Sequence, residues 1–234
     1  MLRMFLTPTA IVAVAVTTCF AGTYVDTFSV PPAGNWQVNG YSQIQQAGGN
    51  PGAFLYGYGI DSIFPRVWTA PNNGGIFTGD YRTQQVTSVG LDADLIYVDF
   101  QNVGNRPMTL LLVSDNGTAG DPDDDWAAYK KGANIPYLND GWLSYDYPIP
   151  YDATTFPPDW QALGLGGSPP PNPDWNVLMG DVTDVWFWLG DPELFYIFQT
   201  WQIGVDNARI SWVPEPAAAL AGLLAVALRR RTST

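Results

Sequence analysis

Histidine is absent from the 234-residue chain, and cysteine occurs once, as Cys19 inside an apolar N-terminal stretch. Without imidazoles, and with no thiol beyond that stretch, the body has nothing with which to hold zinc, copper or an iron cluster. Ser-His and Cys-His catalysis go with them, and so do disulfides. Basic residues are scarce as well. Ten Lys and Arg stand against 22 acids, a net charge of −12. That sign repels phosphate backbones and excludes nucleic acid as a partner. Of the acids only Glu193 and Glu215 are not Asp, and Lys130 and Lys131 are the only lysines. The charged residues that favour helices are therefore nearly missing, and the body is a poor helix former. No fixed-period repeat is present, which argues against propellers and solenoids.

What is abundant is Gly (24), Pro (20), Asp and aromatic residues, among them 10 Trp. Turn formers mixed with pleat-filling side chains point to many short strands joined by tight loops. Strand-like runs lie at 24–28, 41–46, 53–58, 91–100, 108–114, 182–189 and 202–212. In the fourth, Ile96, Val98 and Phe100 alternate with Leu95, Tyr97 and Asp99, predicting one more apolar face. In the last, Asp206, Ala208, Ile210 and Trp212 alternate with Val205, Asn207, Arg209 and Ser211. The period is two in both, not that of a helix. The expected body is one all-β domain over residues 22–213.

The ends read as addresses. Arg3, an apolar core at 10–16 and small residues at Cys19 and Ala21 have the order of a secretory signal, here residues 1–21 as a signal helix cleaved after Ala21. That apolar run is far below the ~20 residues a membrane span needs. At the other end, Val213-Pro214-Glu215-Pro216 is followed by an uncharged apolar run at 217–228, read as a short helix, and by Arg229, Arg230 and Arg231. This order closely resembles the PEP-CTERM sorting signal of Gram-negative exporters, over residues 214–234. The resemblance implies that an exosortase, a membrane transpeptidase, recognises Pro214, Glu215 and Pro216. The apolar run would be a transient membrane tether and the three arginines its cytoplasmic stop. Twelve helical residues rise only ~18 Å against a ~30 Å hydrocarbon core, which suits a transient hold. The implied location is the cell surface or extracellular matrix. Between the two ends remain six basic residues against 21 acids, a net −15.

Three segments of the body carry a second resemblance. Gly48-Gly49-Asn50-Pro51-Gly52-Ala53-Phe54-Leu55, Phe77-Thr78-Gly79-Asp80-Tyr81 and Gly204-Val205-Asp206-Asn207-Ala208-Arg209-Ile210 are similar to the laminin IV (laminin B) type domain. That family belongs with the galactose-binding-like jelly rolls, so the fold implied is an antiparallel jelly-roll β-sandwich. The first segment makes physical sense as a tight turn, since Gly supplies positive φ and Pro fixes it.

Several residue groups could carry chemistry. The loop with Asp115, Asp121, Asp123, Asp124 and Asp125, ending at Trp126, is the densest set of hard oxygen ligands. Calcium takes six to eight such oxygens, although the spacing is not that of an EF-hand, and a solvated acidic loop is the plainer alternative. The jelly-roll resemblance implies another calcium place, between an Asp of the last strand and a residue of the first, where Asp206 and Asp26 fall. An ion there would stabilise the fold in place of disulfides; otherwise Asp206 accepts backbone N–H bonds. Trp126 and Trp142, in loop contexts, are candidates for an exposed sugar-stacking platform. Most other Trp read as core. Trp186 and Trp188 share one strand face opposite Val185, Phe187 and Leu189, so both faces are buried or one meets a partner.

Catalysis has little support. Asp92 with Asp94, or Asp181 with Asp184, could be offered as a glycosidase pair, but so Asp-rich a chain yields such pairs by chance. No G-x-S-x-G and no phosphate loop is present. The sequence therefore points to a non-catalytic adhesion or carbohydrate-binding module facing extracellular polysaccharide. A structural or protein-binding matrix component is the alternative, and an Asp-based hydrolase a distant third. A glycan binder predicts a groove with at least two exposed coplanar aromatics, and a structural component a flat apolar patch.

Overall fold

The computed structural model describes residues 22–29, 35–69, 75–101, 103, 105–118, 121 and 123–213. The signal at 1–21 and the tail at 214–234, with Pro214, Glu215, Pro216, Arg229, Arg230 and Arg231, lie outside the described residues. Among the described residues no helix is long and apolar enough to cross a membrane.

The strands are β1 (Gly22–Asp26), β2 (Gln37–Val38), β3 (Tyr41–Gly49), β4 (Gly52–Ser62), β5 (Arg66–Trp68) and β6 (Val86–Val98). After them come β7 (Pro107–Ser114), β8 (Trp126–Asn134), β9 (Leu143–Pro148), β10 (Gln161–Gly164), β11 (Asp184–Leu189) and β12 (Gln199–Trp212). They form two six-stranded sheets. The first has the order β3-β4-β12-β6-β9, with β1 against the later half of β12, and the second the order β10-β8-β7-β11-β5-β2. The fold is an all-β, antiparallel, jelly-roll-like sandwich, as expected. A six-residue helix, α1 (Trp175–Gly180), is capped by Asp174, whose carboxylate accepts the Asn176 N–H at 2.8 Å. It survives because it buries Trp175, Leu178 and Met179 rather than through propensity.

The main core lies between the sheets, with Leu91, Leu95, Ile203 and Val205 on one side and Leu110, Leu112, Val185 and Phe187 on the other. The alternation expected of β6 is corrected by a bulge. Gln202 faces Tyr97 but Ile203 faces Leu95, so β6 carries one extra residue there. An extra residue switches the faces. Leu95 and Val98 are buried, Ile96 and Tyr97 are exposed, and Phe100 lies beyond the strand at φ 61, 74% exposed. β12 does the same between Asp206 and Arg209, where Asn207 adopts φ 47. Val205, Ala208 and Ile210 thereby all reach the core.

Two of the three resembling segments meet here. Gly48 and Gly52 take φ values of 98° and 94°, so the turn from β3 to β4 uses conformations that glycine adopts without strain. A Cβ on Gly49 would lie 2.7 Å from Asp206 Oδ2, and only glycine lets the turn approach β12 so closely. Asn50 N–H donates to Asp206 Oδ2 at 2.5 Å, and its side-chain amide donates to Asp92 Oδ2 at 3.1 Å. The Asn207 side chain donates in turn to the Asn50 carbonyl and, at 2.8 Å, to Asp92 Oδ2. The third segment is also structural. Asp80 accepts the Thr83 N–H and hydroxyl at 2.8 and 2.6 Å, and the buried Tyr81 hydroxyl donates to the Phe77 carbonyl at 2.7 Å.

Candidate functional site

Alternation along β4 sends Leu55 into the core and Phe54, Tyr56 and Tyr58 to the outer face of the first sheet, where they pair with Gln45, Gln43 and Tyr41 of β3. Their rings form a continuous row. Tyr41 lies 5.6 Å from Tyr58, Tyr58 is stacked on Tyr56 at 5.4 Å and 17°, and Phe54 follows edge-on at 6.3 Å. Trp142, from the loop before β9, closes the row edge-on to Phe54 at 5.4 Å. Its indole N–H donates to the Gly48 carbonyl at 3.2 Å. The ring sits over Gly204 of β12, where a Cβ would lie 2.7 Å from it.

Between these groups is an open cleft of ≈ 420 Å³ lined by Gln45, Phe54, Tyr56, Asp94, Ile96 and Trp142, among others. Its polar groups are few and placed. The Tyr56 hydroxyl donates to Gln202 Oε1 at 2.7 Å, which orients both. Burial raises the Asp94 carboxyl above its ordinary value, partly offset by the Leu95 N–H bond. A row of aromatic rings with amide and carboxylate groups beside it suits a ligand with apolar C–H faces and hydroxyl edges.

Of the two tryptophans singled out in the sequence, Trp142 reaches this cleft. Trp126 does not, and its expected exposure is corrected: it starts β8, 3% exposed, and belongs to the main core. The reason is the unforeseen strand β8, whose alternation turns Trp126 and Ala128 inward. Tyr41, Tyr56 and Tyr58 were missed, although the Phe-x-Tyr-x-Tyr spacing of 54, 56 and 58 at period two was the signal for them.

Asp26 and Asp206 are brought together as buried carboxylates on paired strands. Asp206 accepts Asn50 N–H and Asn207 N–H, the latter at 2.7 Å, and Asp26 Oδ1 accepts Phe28 N–H at 3.2 Å. Burial holds the Asp206 carboxyl above its ordinary value, and the nearby Asp92 and Asp26 charges push the same way against those N–H bonds. Among the described residues no three acids, cysteines or histidines converge as a metal-ligating group. An ion between Asp26 and Asp206 would therefore complete its shell from carbonyls and water. In the acidic loop, Asp124 accepts the Thr118 hydroxyl at 2.7 Å, Asp121 Oδ1 accepts the Asp123 N–H at 3.2 Å, and Asp125 is raised by burial and then by Asp115, Asp124 and Asp121.

The acid pairs are spread out. Asp92 is tied by Arg209 at 2.8 Å, Ser144 at 2.5 Å, Asn207 and Asn50; burial pushes its carboxyl up, but the Ser144, Asn207 and Arg209 bonds hold it below its usual value. Asp94 faces the cleft. Asp181 is exposed at the end of α1, whereas Asp184 is buried and accepts the Thr69 hydroxyl at 2.9 Å.

No protein-family model and no curated protein matches the chain. Among solved structures it is similar in fold to the C-terminal family 22 carbohydrate-binding module of Xyn10B from Clostridium thermocellum, at 13% identity and TM-score 0.41, covering 85% of this chain and 96% of that one. A two-module chain of the same xylanase, solved with xylohexaose, gives 12% and 0.42; the likeness covers 81% of this chain and 28% of that one. The L4b domain of human laminin alpha-2 gives 9% and 0.40, covering 88% and 97%.

Proposed function

We propose that this chain is an exported surface or matrix protein whose sandwich is a non-catalytic carbohydrate-binding module, with the cleft of the first sheet as its glycan site. The observation that carries this reading is the aromatic row Tyr41–Tyr58–Tyr56–Phe54–Trp142 bordering a cleft that also holds Asp94 and Gln45. The half-exposed Trp142 ring offers apolar surface to a pyranose, the stacked tyrosines turn ring edges and hydroxyls towards it, and the amides and Asp94 meet hydroxyls. The cleft's lining holds Asp94 and no basic side chain, which favours neutral sugars there.

The test is a titration of the full chain with neutral β-linked oligosaccharides, beside the variants Trp142→Ala and Tyr56→Ala. Binding weakened about tenfold or more by either change supports the reading, a loss in line with hot-spot aromatics. Failure of every neutral glycan to bind, or indifference to both variants, removes it.

Three further proposals belong to the same picture. Asp26 and Asp206 share a structural calcium, supported by two buried carboxylates in mutual repulsion. The tail is recognised by an exosortase at Pro214, Glu215 and Pro216, supported by the order of motif, apolar run and arginines. Export and surface location follow from the two terminal segments.

A second reading has its own observation. Leu194, Phe195, Ile197 and Phe198 stand in one exposed stretch, Phe195 at 91%. Apolar exposure of that kind marks protein contacts. A partner protein that binds equally well after Trp142→Ala, and not after Phe195→Ser, would favour a protein-binding matrix role.

A further inference from the structure

Residues 22–213 contain six basic side chains, and five are engaged. Arg82 donates to the Ala153 carbonyl and to Asn176. Arg106 donates to the Ile63 carbonyl and to Gln199 Oε1, at 2.6 and 2.5 Å. Lys130 pairs with Asp159, Lys131 with Asp191 and Glu193, and Arg209 with Asp92 and Asp146. Arg66 is the sixth. Among the described residues its guanidinium meets no carboxylate and no hydrogen-bond acceptor, in a domain with a large surplus of acids.

Its neighbours are indoles. On the outer face of the second sheet, Arg66 and Trp68 of β5 stand opposite Trp188 and Trp186 of β11, four side chains in a two-by-two square. The guanidinium carbon lies 5.8, 6.0 and 5.9 Å from the Trp68, Trp186 and Trp188 rings. Trp186 and Trp188 are themselves stacked, 6.2 Å apart at 27°. The square is held from behind. Arg66 N–H donates to Asn39 Oδ1 at 2.6 Å, and Val185 N–H to the Thr69 hydroxyl at 3.1 Å. Arg66, Trp68 and Trp186 border a hollow of ≈ 200 Å³. Burial lowers the Arg66 guanidinium below its ordinary value, as expected of a cation that has lost water without gaining an anion.

The missing group is therefore an acceptor with negative charge. One guanidinium is a planar fork matched to the two oxygens of one carboxylate. The backbone of β5 and β11 is spent on its own ladder, so an extended peptide finds no free N–H or C=O here. What remains on offer is ring faces beside a single fork.

We propose that Arg66, Trp68, Trp186 and Trp188 form a second ligand site that takes a hexuronate unit of an acidic polysaccharide, its carboxylate on Arg66 and its C–H face on an indole. The site lies on the other sheet from the cleft and stands or falls separately from it, although both readings make the ligand a glycan.

The test follows tryptophan emission and calorimetric heat while the full chain is titrated with trigalacturonate, with neutral galactotriose and with a glutamate-rich peptide of equal charge. Trigalacturonate is expected to bind. Arg66→Gln should weaken it at least tenfold, and Arg66→Lys by an intermediate factor because a point charge replaces the fork. Trp142→Ala should leave it unchanged, which separates this site from the cleft. Arg66→Gln should still unfold cooperatively, so that lost binding is read on a folded chain, and Arg66→Lys, which keeps a cation over the indoles, separates loss of the fork from loss of the ring contacts. The proposal is overturned by trigalacturonate that does not bind, by binding that survives Arg66→Gln, or by a peptide or neutral sugar that binds as tightly.

Discussion

Asp184 is a buried carboxyl whose environment opposes its charge. It is 4% exposed, and burial pushes its pKa up to about 6 against the Thr69 hydrogen bond, with Asp125 and Asp115 adding repulsion. A carboxyl raised in the folded state binds its proton more tightly there than in the unfolded chain. Its contribution is therefore neutral below the unfolded value near 4, turns destabilising as pH rises from there to about 6, and stays constant above. Asp184→Asn keeps an acceptor for Thr69 and removes the titration. It should be nearly neutral at pH 4 and stabilise by about 2 kcal/mol at pH 7. Urea unfolding at the two pH values checks this, and an equal effect at both would show that the charge is not the cause. Asp92, as deeply buried, has the opposite balance because Ser144, Asn207 and Arg209 all donate to it. The two carboxyls are alike as residues in the sequence; the hydrogen-bonding groups that the fold brings to each separate them.

At the level of strands, β12 organises the cleft. It runs between β6 and the pair β4 and β1, and its outward residues Gln202 and Gly204 hold two lining residues of the cleft, Gln202 by accepting the Tyr56 hydroxyl and Gly204 by seating the Trp142 ring. Gly204 is there because the Trp142 ring occupies the space a Cβ would need. Gly204→Ala should therefore displace Trp142 and weaken glycan binding about tenfold while costing the fold only about 1–2 kcal/mol, as for modest overpacking. Binding that is unaffected would mean that the seat of Trp142 does not set affinity. The strands legible in sequence were those rich in β-branched and aromatic residues, such as β4, β7 and β12. β8 was not, because Trp126-Ala-Ala-Tyr-Lys-Lys carries no β-branched residue, and its strand state is imposed by β7 and β10 on either side. Bulges at Ile96 and Asn207 could not be read either, since each depends on the register of a partner strand.

Across the whole molecule, the signals most visible in sequence were those that assemble the fold. The Gly-Asn-Pro-Gly turn and the closing strand, more than 150 positions apart, touch through Asn50, Asp206 and Asn207. The binding faces were less visible. Three of the five rings in the cleft row share one strand at period two, a signal present in the sequence though unread, whereas the Arg66 square needs the pairing of β5 with β11, which no local pattern encodes. Excess acid in a domain without disulfides also makes an ion a global matter. Calcium shared by Asp26 and Asp206 should raise the melting temperature by roughly 5–10 °C over a chelator, the scale set by saturating a site that exists only in the folded state. Asp206→Asn should abolish that increment, and identical melting with and without calcium would remove the ion. The long strand has one more consequence. β12 ends at Trp212, just before the tail that would anchor the chain, and spans roughly 45 Å at the usual rise per residue. A pull on the chain beyond Trp212, resisted at the cleft, would run along β12 and load its flanking ladders in shear, so that many hydrogen bonds carry the force together instead of opening one at a time.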